Sequence, residues 1–91
     1  MNQEIVWVFH GMNSRFSGGI FTTLPLAEDW IAKHRLTGLL TAYPLDTGIY
    51  DWAIAGGLFE PKKPEHDSPN FIGGFTTAGQ EHQHYEDGKR S

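Results

Sequence analysis

The chain has 91 residues, 38% hydrophobic and 20% charged, and seven basic residues against eleven acidic ones give a formal net charge of -4. That length supports one domain over residues 1–91 that buries roughly two thirds of its unfolded surface, and it excludes a second core. Without cysteine there is no disulfide, no thiolate nucleophile and no Cys-based zinc site. No basic cluster exceeds Lys62-Lys63 or Lys89-Arg90, so nucleic acid is excluded as an expected partner, because phosphate neutralisation needs several cations on one face.

Met1 to Glu4 lacks the basic region and apolar run of a signal peptide, and no segment approaches the roughly eighteen apolar residues of a membrane span. A cytoplasmic setting with no membrane partner is the expectation. Glu4 to His10 is rich in β-branched and aromatic residues and almost continuously apolar, the pattern of a strand covered on both faces or central in a sheet. It ends at Gly11, and Met12 to Gly19 carries turn chemistry into Ile20-Phe21-Thr22, so a β-hairpin with a long connection is expected.

Thr23 suits a helix N-cap with Pro25 tolerated in the first turn. Ala27, Trp30, Ile31 and His34 form an i, i+3, i+4, i+7 stripe, extended by Leu24 or Leu26, that would lie on the sheet. Glu28 and Asp29 stand toward the positive end of this helix, and Lys33, His34 and Arg35 toward the negative one. Gly38 is read as its break, and Leu39 to Leu45 as the next strand, with Pro44 placing its end at an edge or bend.

Asp46-Thr47-Gly48 reads as a turn, and Ile49 to Ala55 as a short helix stopped by Gly56-Gly57. Glu60 to Pro69 is a polar loop stiffened by three prolines. Ser68-Pro69 fits a helix start with Phe71, Ile72 and Phe75 on one face, yet Gly73-Gly74 leaves a strand open over 69–76. His82 to Glu86 alternates as a final edge strand, and a charged tail over 87–91 should fray. The connectivity predicts an α+β fold, a two-layer sandwich with a mostly antiparallel sheet of about four strands and two or three helices on one face.

His82 and His84, two apart on a strand, share a face and could chelate a divalent metal with His10 or Glu86 completing the set. Ser14 lacks the G-x-S-x-G setting of a nucleophile, and the glycines at 11, 18 and 19 fit no phosphate-binding spacing. The carboxylate pairs Asp46 with Asp51 and Glu28 with Asp29 have ordinary structural roles. No catalytic residue and no cofactor are expected.

Taken together, Val6-x-Val8-Phe9-His10-Gly11, Ala27-Glu28-x-Trp30-Ile31, Tyr43-Pro44, Tyr50-Asp51-Trp52-Ala53, Pro61-Lys62-Lys63-Pro64 and His84-Tyr85-x-Asp87-Gly88 resemble a family of small bacterial proteins of unknown function, over nearly the entire chain. That resemblance brings no established activity and no transferable functional residue. Phe21-x-Thr23 followed by Ala27-Glu28-x-Trp30-Ile31 is also loosely similar to small domains beside bacterial toxin and immunity genes. The expectation is a non-enzymatic protein-binding or self-associating module, with a protein partner or homodimer meeting Phe16, Phe59, Lys62 and Lys63 on aromatic-bearing loops. The alternative is a metal or small-ligand site, conceivably enzymatic, built from His10, His82 and His84.

Overall fold

A computed structural model describes residues 4–91. Five antiparallel strands form one open sheet in the order β2-β1-β3-β4-β5, with β1 at Ile5–Gly11, β2 at Ser17–Phe21, β3 at Gly38–Pro44, β4 at His82–Glu86 and β5 at Lys89–Arg90. Three α-helices accompany it, α1 at Leu24–Lys33, α2 at Ile49–Ala55 and α3 at Pro69–Gly73, with a 3-10 turn at Pro64–Asp67. The fold is α+β. No helix among the described residues is long and apolar enough to cross a membrane.

Side chains alternate across a strand, so Trp7 and Phe9 of β1 share a face with Leu40 and Ala42 of β3 and Tyr85 of β4. Helix α1 lies on that face. Its Ala27 and Ile31 are fully buried against the sheet residues, with Phe21, Leu24, Trp30 and Leu36 around them. Trp30 meets Phe9 edge-on at 5.6 Å and Phe21 at 5.3 Å, while Leu26 points outward and Leu24 extends the stripe.

Helix α1 starts where expected, the Thr23 hydroxyl accepting from the Leu26 N–H at 3.3 Å. It stops earlier than Gly38. Arg35 takes a left-handed φ of 51°, and the Leu36 and Arg35 N–H groups donate back to the Ile31 and Ala32 carbonyls, a Schellman ending built without glycine. Gly38 instead serves the sheet. It pairs with Gly11 across β1 and β3, and a Cβ there would run into the His10 carbonyl and sit 2.8 Å from the Phe9 ring.

The 45–81 excursion between β3 and β4 builds its own aromatic cluster. Tyr50 packs with Phe59, Phe71 and Phe75 at 5.9, 6.3 and 5.7 Å, and its hydroxyl donates to Asp67 at 3.0 Å. Residues 69–73 are helical because the Ser68 hydroxyl caps the Phe71 N–H at 3.2 Å. Gln80, buried at 2% exposure, closes the excursion by donating to the Ala42 carbonyl and accepting from the Thr77 N–H.

The C-terminal segment expected to fray is a strand. Asp87 and Gly88 both adopt positive φ, 52° and 86°, the two-residue hairpin turn that an Asp-Gly pair favours, so β5 pairs with β4 and the sheet has five strands rather than about four. Arg90 then reaches Glu28 of α1 at 2.6 Å, and the buried Tyr85 hydroxyl donates to the same carboxylate oxygen at 2.5 Å. Glu28 therefore ties helix to sheet and does not serve the first turn of its helix. The hydrogen bond from Arg90, then that from Tyr85, lowers the Glu28 pKa. Burial, reinforced by the carboxylate, pushes the Tyr85 phenol up to about 12.

Two outcomes follow from this packing. Gly38→Ala should destabilise the fold by about 1–3 kcal/mol in urea unfolding, since neither the His10 carbonyl nor the Phe9 ring can retreat freely. Because the folded Tyr85 holds its proton more tightly than the unfolded one, its contribution is complete below pH 10 and is lost as the pH rises towards about 12. Glu28 behaves oppositely, its contribution being present above its unfolded value and lost as the pH falls through its lowered one. Melting curves should show Tyr85→Phe removing the alkaline loss between these limits, and Glu28→Gln flattening the acid limb.

An uncovered sheet face as the candidate functional site

The residues of β1 that do not meet α1 are Val6, Val8 and His10, and their register continues the opposite face across the sheet. Val8 stands beside Ile20 on one side and Thr41 on the other, Thr41 beside His82, and His10 beside Leu39, which neighbours His84. Val6 stands beside Tyr43. Thr76, Thr77 and Ala78 border this face at Leu39, Thr41, His82 and His84, and Thr41 is buried there. Toward β1 and β2 the face stays open. Val6, Val8 and Leu39 are half-buried, Ile20 is 66% exposed, and Met12 and Phe16 in the hairpin loop are 63% and 78% exposed.

Where β1, β3 and β4 end, His10, Met12, Thr37, Leu39, His84 and Glu86 line an open depression of about 480 Å³. The His82 Nδ1 lies 2.7 Å from the Gln80 carbonyl. A carbonyl only accepts, so the proton sits on Nδ1 and Nε2 faces outward. Its ring is 5.3 Å from that of His84. His10 is separated from His84 by the whole of β3, roughly 10 Å at two interstrand spacings. The three imidazoles share a face without converging, and among the described residues no group of three or more His, Asp or Glu could hold a metal ion.

The other candidates lie apart. Phe16 is exposed at the hairpin tip, but Phe59 is half-buried, 4.9 Å from Phe75 and 5.3 Å from His66. It belongs to the aromatic cluster of the excursion, where the chain supplies rings on both sides of it. Lys62 and Lys63 are exposed, and the Lys62 N–H donates to the His66 imidazole at 3.0 Å, which fixes that loop. Met12 and Ile20 were not singled out in the sequence as site residues. Their signal was local, two large apolar side chains flanking a glycine-rich hairpin with no helix predicted to cover them.

The two edges of the sheet are unlike the face. Strand β2 is irregular, its register against β1 shifting between Phe9 and His10 so that Gly18 is bulged out, and β5 is two residues long and cationic. Both devices discourage edge-to-edge pairing. The open face carries no such guard.

The absence of converging imidazoles gives a direct expectation. Zinc or nickel added to untagged protein should give no saturable thermal shift at one equivalent, and elemental analysis should find no retained metal. A stoichiometric shift abolished by His82→Gln and His84→Gln together would contradict the geometry.

Comparison with known proteins bears on family alone. No curated protein matches the chain, and no solved structure matches it either. A family model described as a domain of unknown function, DUF7710, matches residues 6–91. The chain, with the sheet, helices and uncovered face described above, belongs to that family of domains of unknown function.

Proposed function

We propose that this domain is a non-enzymatic protein-binding or self-associating module and that it works through the sheet face opposite α1. One observation carries the reading. The Ile5-Val6-Trp7-Val8-Phe9 run of β1 has the composition of a strand buried on both faces, yet among the described residues a helix covers the side bearing Trp7 and Phe9, while the other side is bordered by Thr76 to Ala78 at Thr41 and leaves Ile20 66% exposed.

The dimensions agree with an incomplete burial. The accessible surface is 6507 Å², against about 5,300 Å² for a folded monomer of this mass. The radius of gyration is 14.3 Å with a shortest extent of 19 Å, where a compact domain of this length would have about 12 Å. The molecule is a thin plate, and Met12, Phe16 and Ile20 expose apolar surface at the margin of the face opposite α1. Exposed apolar surface of this kind marks interaction sites, and the aromatic and methionine side chains at its margin are those that interfaces favour.

A variant carrying Met12→Ser, Phe16→Ser and Ile20→Ser changes only exposed side chains. It should keep the far-UV circular dichroism spectrum and melting temperature of the native chain. Association, whether seen as a raised mass in light scattering or as a specific protein retained from its native lysate, should be lost. A native chain that is monomeric at every concentration and retains no protein reproducibly would refute the proposal.

A further inference from the structure

Beyond a partner for the sheet face, we infer that the hollow of about 480 Å³ where β1, β3 and β4 end is a small-molecule site, and that its ligand is a small aromatic amine.

Several elements build the hollow. Register places His10, Leu39 and His84 in one row across β1, β3 and β4, and Glu86 follows His84 by two residues on the same face. Met12 adds a second apolar side chain. Its N–H donates to the Thr37 carbonyl at 3.0 Å, which fastens this end of the hairpin loop to the approach of β3. The volume falls within the roughly 300–1,000 Å³ of small-molecule sites.

The fold makes no use of the polar groups around it. Among the described residues the side chains of His10, His84 and Glu86 take part in no hydrogen bond or ion pair, whereas the neighbouring His82 is tied to the Gln80 carbonyl. Two imidazoles and a carboxylate are therefore available to a ligand without the loss of any internal bond.

The lining defines the class of ligand. Leu39 and Met12 offer apolar contact to a flat ring, and a flexible thioether packs well against aromatic edges. His10 and His84 stand roughly 10 Å apart at two interstrand spacings, and each imidazole can donate or accept, which suits a ring carrying a polar group. Among the described residues that line the hollow, Glu86 is the only Asp, Glu, Lys or Arg. Lys89 lies opposite Glu86 in the β4-β5 hairpin, but it is outside the lining and forms no ion pair with Glu86 among the described residues. A ligand in the hollow thus meets a carboxylate, which binds an ammonium through charge-assisted hydrogen bonds. A carboxylic acid or a phosphate would find no Lys or Arg there.

Tyramine titrated into the native chain tests the site, with tyrosol, which has the same ring and an alcohol in place of the amine, as the comparison. The readout is the C2–H proton resonances of the five histidines, assigned with His10→Gln and His84→Gln. Tyramine should shift the His10 and His84 resonances saturably in the millimolar range. Those of His34, against Trp30, and His66, against Phe59 in the excursion, should stay fixed. Tyrosol should bind several-fold more weakly. Glu86→Gln, a change at an exposed position, should keep the circular dichroism spectrum and abolish the difference between the two probes, while Lys63→Glu, on a remote loop, should bind tyramine as the native chain does. Tyramine that gives no saturable shift at His10 and His84, or equal shifts at all five histidines, would overturn the site. Equal binding of tyramine and tyrosol by the native chain, or a tyramine affinity unaltered by Glu86→Gln, would overturn the amine. Light scattering on the same samples follows association separately, so failure of this site and failure of the protein-binding reading are told apart.

Discussion

The burial of Ala27 and Ile31 against Trp7, Phe9, Leu40 and Tyr85 organises everything else in this molecule. Both helix residues are fully buried, and in an area-based account each aliphatic side chain of isoleucine size contributes about 1.5–3 kcal/mol when removed from water. The contact fixes which face of the sheet is inside. Because strand side chains alternate, it also fixes which face is left outside, and the choice propagates through register from β1 to β2, β3 and β4. The uncovered face is therefore a geometric result of where α1 sits, and the exposure of Ile20 follows from the same alternation that buries Phe21.

Around that contact the structure adds fastenings that cost little sequence. The glycine pair Gly11 and Gly38 lets β1 and β3 close where a side chain would hold them apart. The carboxylate of Glu28 collects a phenol from β4 and a guanidinium from β5, so that a helix, a central strand and a two-residue strand are held at one point. The guanidinium is half exposed and the carboxylate about a third, so the ion pair itself contributes modestly. Its effect is chiefly to give the short β5 a fixed place.

Much of this was legible before any coordinates. The Thr23 cap, the Ala27, Trp30 and Ile31 members of the stripe, the helix at 49–55 and the strand at 82–86 are local signals of period and turn chemistry, and they are where expected, whereas His34, the fourth member of that stripe, is the exposed C-cap of α1. The errors have physical causes. The Asp87-Gly88 pair is a strong hairpin signal, but it precedes only two residues of strand, too few to show alternation, so the segment read as a tail. Phe59 reads as an exposed loop ring but is half-buried, because its ring partners Tyr50, Phe71 and Phe75 are distant in sequence and only the folded excursion brings them together. The histidine spacing correctly put His82 and His84 on one face, while the third ligand depended on strand order, which inserts β3 between His10 and His84. Hardest of all was the open face. Strand β1 is apolar on both sides, and nothing in a single chain says that one side will go uncovered.

The hydrogen-bonded adjacency of β3 and β4 has a consequence for motion. These strands pair directly, so the loop from 45 to 81 is an appendage to the sheet, held to it mainly by the Gln80 side chain and the Glu81 carbonyl on Ala42. Its rings cohere with one another more than with the main core. The appendage can therefore melt as a separate cooperative unit while the five strands stay zipped, and native-state amide exchange should divide the chain in two, with α2 and α3 opening early and β1 and β3 last.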